Sequence, residues 1–525
     1  MPKASCIWHG PLPKRFSDSL QCDQNPEGCG QCANARRKCP GYRKLEDVIF
    51  KDESGKVARK FQSREARSSQ KLGFAAKSAA SSEESSPDQD DGIEFVLSDT
   101  TTLPRLNLAP TIEERAVAFF FNNYVMAPDG GPSVGHMAIL HKMTGSLPEC
   151  LFSGMKAVGL AGYSHSVYAP SLMKHAQYQY VQALRATNEA LRSPILVTRD
   201  STLISIHILS IYEAITGTNQ KSLKAWADHI FGASALLKLR GREQISTMEG
   251  RQLFLQTVSM LMVTSVQQNI PLPDYIMEWT REAREMIPFF SPGLSCQEVM
   301  MEFTAYNASI CDGTLDDSNT IITRGLELDG ILKDAFENPC DTWEYETVFT
   351  EAEPELIYNG CYHVYHDNWV AQIWNGMRCF RCLFHERIHE TIQAARLEHP
   401  PRLTDPSHTT QLQISTDIMC NMQADILASV PQHLGYVSRL NRYPTPPLFI
   451  GPWKPERGPA GTPMRMSGPY FILWPLWYSG VMNVTTDATR RYVARNLKLI
   501  GDELGIQQAT FLAEVLDKKM RISFR

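Results

Sequence analysis

Four cysteines constrain the N-terminal part of this chain more tightly than any other feature. Their order is Cys22-x6-Cys29-x2-Cys32-x6-Cys39. A Cys-x2-Cys step brings two thiolates onto one ion, and the six-residue loops return further ligands. Clustered thiolates select zinc, with tetrahedral sulfur coordination. A segment this short cannot bury a core of its own, so metal binding would supply its folding free energy. Cys6 is a fifth cysteine in the same region. The competing reading is a chance cluster of free thiols.

Charge separates this head from the rest. The whole chain has 525 residues and a net charge of -5, which taken alone argues against nucleic acid. Residues 1–77 hold 16 Lys and Arg against 8 Asp and Glu, a net of +8, and the remainder carries -13. A basic, cysteine-rich head on an acidic body favours a nucleic-acid-binding head. No stretch approaches the ~18 uninterrupted apolar residues of a membrane span. The opening Met1-Pro-Lys-Ala-Ser-Cys6 has no basic end followed by an apolar run. No membrane partner and no secretion are therefore expected, and the 13 cysteines are expected as thiols or metal ligands, not disulfides. The eight beyond the head are expected to be buried thiols.

The chain divides into a module at 1–53, a disordered linker at 54–110 and an all-α body at 111–525. The linker contains Ser-Ala-Ala-Ser-Ser-Glu-Glu-Ser-Ser-Pro-Asp-Gln-Asp-Asp (78–91), too polar to pack. From Thr111 the pattern is helical, opening on a capping box with Thr111 as cap and Glu114 three positions on. Long helices are expected over Met173–Leu191, Ser201–Thr216, Lys221–Leu239, Arg251–Gln267, Cys361–Ala395, Thr409–Val430 and Asp487–Asp502. Alternating strand patterns are scarce. The expected fold is thus a small zinc–cysteine cluster followed by one large all-α helical body.

The segment Cys22-Asp-Gln-Asn-Pro-Glu-Gly-Cys29-Gly-Gln-Cys32-Ala-Asn-Ala-Arg-Arg-Lys-Cys39-Pro-Gly-Tyr-Arg43 resembles the second half of a fungal zinc binuclear-cluster (C6 finger) transcription factor. The likeness covers the spacing, the loop proline Pro26 and the Pro-Gly-Tyr-Arg exit. Asp47–Ser54 is similar to the stretch just after the cluster in one branch, and Glu114–Tyr124, Leu237–Glu243 and Arg490–Leu516 extend the resemblance into the body. It implies a sequence-specific regulator of RNA polymerase II genes, located in the nucleus. Its partners would be CGG-type DNA sites, a second copy of the chain and the transcription machinery. It also implies zinc as cofactor, held by Cys22, Cys29, Cys32 and Cys39, with Cys6 as a further candidate. Arg36, Arg37, Lys38, Arg43 and Lys44 would make the contacts to DNA phosphates.

The first half of the family's cluster is absent. Cys22 matches the family's third cysteine, and Cys6 lies sixteen positions before it where the family's first lies ten before. Pro11 and Pro13 break the short helix that the family presents to the major groove. Cys29, Cys32 and Cys39 can hold one ion with Cys6 or Cys22 as fourth ligand. A second ion has only Cys22 and Cys29, with Cys6 and His9 as substitutes. One well-held zinc is the expectation. The alternatives are an N-terminus that has lost an intact first half, and a helical interaction protein whose head no longer binds DNA.

His385-Glu386-Arg387-Ile388-His389 matches H-E-x-x-H, which on a helix sets two imidazoles one turn apart with a glutamate as general base. This motif supports a zinc metalloenzyme as a remote alternative. No third histidine lies at metzincin spacing, and Arg387 puts a cation between the two ligands. Packing is the preferred reading, and the chain is expected not to be an enzyme. No phosphate loop is present, and Ser164-His165-Ser166 reads as a loop. The aromatic run Phe471–Tyr478 reads as core, with a ligand pocket as its alternative.

Overall fold

The computed structural model describes residues 110–125, 139–143, 147–287, 292–351, 355–437 and 467–518. The described residues all fall in one compact unit. The capping box at Thr111 is in place. The Glu114 amide donates to Thr111 Oγ1 at 3.2 Å and the Thr111 amide to Glu114 Oε2 at 2.7 Å. It starts α1 (Ile112–Tyr124), after which come a short α2 (Ile139–Lys142) and α3 (Glu149–Ser166). Three glycines in α3 remove side chains where neighbours come close. A Cβ on Gly159 would lie 1.9 Å from the Ala116 carbonyl oxygen of α1. Ser164, His165 and Ser166 end this helix and are not a loop.

Four long helices continue the first core: α4 (Ser171–Arg192), α5 (Asp200–Thr216), α6 (Gln220–Arg240) and α7 (Met248–Gln268). Of these α5 is the central one, buried on almost every face from Thr202 to Ile215. Asn219 caps α6 by accepting from the Lys221 and Ser222 amides at 2.9 and 3.3 Å. Gly241 ends the helix at φ +73°, a conformation that only glycine adopts without strain. Phe120, Met155, Ile204, Trp226 and Phe254 lie in this core together with α8 (Asp274–Glu285).

A second core joins α9 (Pro292–Asp312), α10 (Ser318–Asp334) and α11 (Asn368–Leu397), where Phe303 meets Phe380 and Phe384 edge-on. A third joins α12 (Pro406–His433), α13 (Ser467–Val481), α14 (Asp487–Asp502) and α15 (Gln507–Asp517) around Ile426, Leu473, Val493 and Leu512. Trp474 packs against both the first and the third core. In the aromatic run from Phe471, on α13, Ile472, Leu473 and Leu476 are buried while Trp474 and Trp477 pack against the cores at partial exposure. Among the described residues the body is all-α apart from one antiparallel pair, in which β1 (Glu346–Phe349) pairs with β2 (Cys361–Val364). This corrects the expected helix over Cys361–Ala395. Its first four residues are strand β2, and α11 starts at Asn368, capped by Asp367 accepting from the Val370 amide at 2.8 Å. Among the described residues no helix is long and apolar enough to cross a membrane.

Candidate functional site

The candidate zinc ligands Cys6, Cys22, Cys29, Cys32 and Cys39 lie outside the described residues, as do Arg36, Arg37, Lys38, Arg43 and Lys44. Within the described body the chemistry-bearing side chains collect on α11. Three of them, Arg378, Arg381 and His385, recur at steps of three and four, the spacing of one helix face.

His385 is the first histidine of the H-E-x-x-H motif, and it is buried. Its Nδ1 lies 3.0 Å from Ser415 Oγ on α12 and its Nε2 lies 3.2 Å from Asp329 Oδ2 on α10. Arg381 clamps the same carboxylate through Nε at 2.7 Å and Nη2 at 3.0 Å. Burial pushes the Asp329 carboxyl up, but the bonds from His385 and Arg381 outweigh it and hold its pKa below the usual range. The His385 ring is thus held between Ser415 and the Asp329 carboxylate. Glu386 accepts from Tyr478 Oη at 3.2 Å, and burial raises its pKa. Among the described residues no group of three or more His, Cys, Asp or Glu is placed to hold a metal. Ser415, His385 and Asp329 also repeat the residue types of a hydrolase triad. All three are buried between helices, so substrate has no access to them.

About two turns before His385 on the same helix, Arg378 is completely buried. Its Nη1 donates to Tyr365 Oη at 2.6 Å and to Asn375 Oδ1 at 3.1 Å. The guanidinium carbon lies 5.1 Å from the Tyr345 ring centre, 5.4 Å from Trp374 and 5.7 Å from Tyr365. Aromatic faces solvate a buried guanidinium in place of water. Its nearest carboxylate is Asp425 Oδ2, 3.6 Å from Nε. Around this cation, His433 Nδ1 meets the Gly468 carbonyl at 3.1 Å and its Nε2 meets Asn375 Nδ2 at 3.3 Å. The neutral tautomer with hydrogen on Nδ1 satisfies both contacts. His363 Nδ1 meets Tyr365 Oη at 2.9 Å. Burial, with the Arg378 charge beside it, pushes both His363 and His433 down to about 3. The cluster joins α11, α12, β2 and the start of α13. It is an interior network with neutral histidines, in which Arg378 Nε and Nη2 make no hydrogen bond and rest on the ring faces and the nearby Asp425 charge.

The body cysteines are free thiols, but the expectation that all eight are buried is corrected. Cys150, Cys296 and Cys382 are buried, Cys361 and Cys379 are partly exposed, and Cys311, Cys340 and Cys420 are exposed. Burial pushes the Cys296 and Cys379 thiols up to about 12, so neither supplies thiolate near neutral pH.

No family model matches the chain, and no solved structure matches it. It is similar to the Transcription factor dbaG of Emericella nidulans, with 23% identity over 418 residues. That alignment covers 77% of this chain and 91% of the relative, a span too long to be confined to the head and linker.

Proposed function

We propose that this chain is a fungal transcription regulator and not an enzyme, and that it binds DNA through its N-terminal cysteine module. The observation that carries the regulator reading is the similarity to a transcription factor over most of both chains. The burial of His385 between Ser415 and Asp329 favours packing over metal binding for the H-E-x-x-H motif.

Support for the DNA-binding head comes from donor chemistry. Cys22, Cys29, Cys32 and Cys39 are soft thiolate donors at a spacing suited to zinc. Arg36, Arg37 and Lys38 lie inside the last cysteine loop, where bound zinc would present them to phosphates, and Arg43 and Lys44 come directly after it. A second reading, a regulator that acts through its body alone, is favoured by Pro11 and Pro13 and by the missing first half of the cluster.

The test is zinc content and DNA affinity of the same preparation. About one zinc per chain is expected. Cys32→Ser should lose both the metal and DNA binding while the helical circular dichroism of the body is kept. Zinc-free protein that binds DNA equally well, or zinc-loaded protein that binds none, overturns the assignment.

A further inference from the structure

Among the described residues, strand β1 has a strand neighbour on one side only, β2. The register sets Glu346 opposite Val364, Thr347 opposite His363, Val348 opposite Tyr362 and Phe349 opposite Cys361. Just beyond the strands the Thr350 amide donates to the Gly360 carbonyl at 2.9 Å, which makes 350 and 360 a hydrogen-bonded pair. Bonded pairs alternate along an antiparallel ladder, so Val348 and Glu346 also bond to β2. Thr347 and Phe349 then point their N–H and C=O groups away from β2. Among the described residues no main-chain group answers them on that side. Thr347 is exposed, and the Phe349 side chain is 81% exposed. The edge is nevertheless anchored, because Val348 packs against the cluster of Ile357, Tyr362, Val364 and Val437. An unpaired, solvent-facing strand edge is a template for one more strand.

The charge around this edge selects the occupant. From Asp334 to Met377 the sequence holds no Lys and no Arg. Asp341 and Glu344 precede β1, Glu346 opens it, and Glu351 and Glu355 follow it, all of them exposed. Among the described residues Asp341, Glu344, Glu351 and Glu355 have no ion-pair partner. Like charges on neighbouring strands repel, so a second β1 is a poor third strand, and an acidic peptide is poor for the same reason. A strand that carries Lys or Arg gains from every one of these carboxylates. Side chains alternate between the two faces of a strand. On an added strand, the residues opposite Thr347 and Phe349 would meet the exposed ring. Those opposite Glu346 and Val348 would lie on the carboxylate side.

We propose that the outer edge of β1 is a docking site for an extended, lysine- or arginine-rich peptide segment of a partner protein, which adds a third strand beside β1. The site lies on the helical body and needs neither zinc nor DNA. The test is fluorescence anisotropy of a short labelled peptide with Lys and Val alternating, titrated with the full chain. Saturable binding is expected, with a Kd of about 10–100 µM that rises with salt. The same peptide with Glu in place of Lys should not bind. N-methylating the peptide amides that face β1 removes main-chain bonds and keeps every charge; it should raise the Kd about tenfold or more. Thr347→Pro removes an outward N–H at an edge position, where proline is tolerated, and leaves the bonds from β1 to β2 in place. It should also raise the Kd about tenfold with the helical circular dichroism unchanged, whereas Thr347→Val should bind as wild type does. Attraction to carboxylates elsewhere on this acidic body is indifferent to N-methylation and to Thr347→Pro. No saturable binding up to ~300 µM, binding that either of these two changes leaves unmoved, or equal binding of the Glu peptide overturns the proposal.

Discussion

Arg378 is the residue on which the second half of the body turns. It is a fully buried cation, held by Tyr365, Asn375 and three ring faces, with Asp425 3.6 Å away. Arg378→Met should lower the unfolding free energy by about 3 kcal/mol, because it leaves Tyr365, Asn375 and Asp425 without their shared partner. A urea midpoint that does not move would contradict this. The histidines beside it give a pH dependence with a defined sign. His363 and His433 are held near 3 in the folded chain, whereas an unfolded histidine titrates at ~6.5. Below ~6.5 the unfolded state therefore binds more protons, and stability falls as the pH is lowered from ~6.5 to about 3. Wild-type midpoints should drop over that range, and His433→Gln should flatten the dependence; equal slopes would refute it. Little of this was legible in the sequence. H-E-x-x-H drew attention to His385, but its partners Asp329 and Ser415 come from other helices. Arg378 had only its place on the His385 face to single it out.

Elements were legible where polar caps and apolar periodicity agreed. The capping box at Thr111 and the span Asp487–Asp502 stand as the sequence implied. The expected helix from Cys361 ran a strand and a helix together, because Cys361–Val364 carries no turn residue to separate its pattern from that of the helix beyond it. Helix α3 escaped notice for a different reason. Its glycines interrupt the apolar pattern, yet they serve close packing, and Gly159 sits directly under the Ala116 carbonyl. Gly159→Ala should therefore destabilise by about 1–3 kcal/mol, since one helix must move off the other. Gly232 in α6 is the control, with nothing within 4 Å of the added carbon. Gly232→Ala should be neutral or stabilising by up to ~1 kcal/mol. Thermal unfolding of the two variants separates them. Equal melting temperatures would mean that α1 and α3 do not approach this closely.

At the scale of the whole molecule, the net charge of -5 averages a basic head and an acidic body, and it predicts neither. The all-α body was legible as a class from punctuation and periodicity. Its division into cores was not, because residues far apart in sequence, such as Trp226 and Trp474, meet only in the fold. The similarity to a transcription factor spans more than the head can account for, so it extends into the body.

The function proposed for this chain rests on its cysteine module reading DNA. The most direct measurement is fluorescence anisotropy of the zinc-loaded full chain on a CGG-containing duplex and on a scrambled duplex, repeated across salt concentrations. Binding to the CGG duplex should be the tighter, and affinity should fall linearly on a logarithmic salt scale. The slope should be reduced by about one for each of Arg36, Arg37 and Lys38 replaced by Ala. Equal affinity for both duplexes, or no binding at low salt, would contradict the claim and leave the helical body as the working part of the regulator.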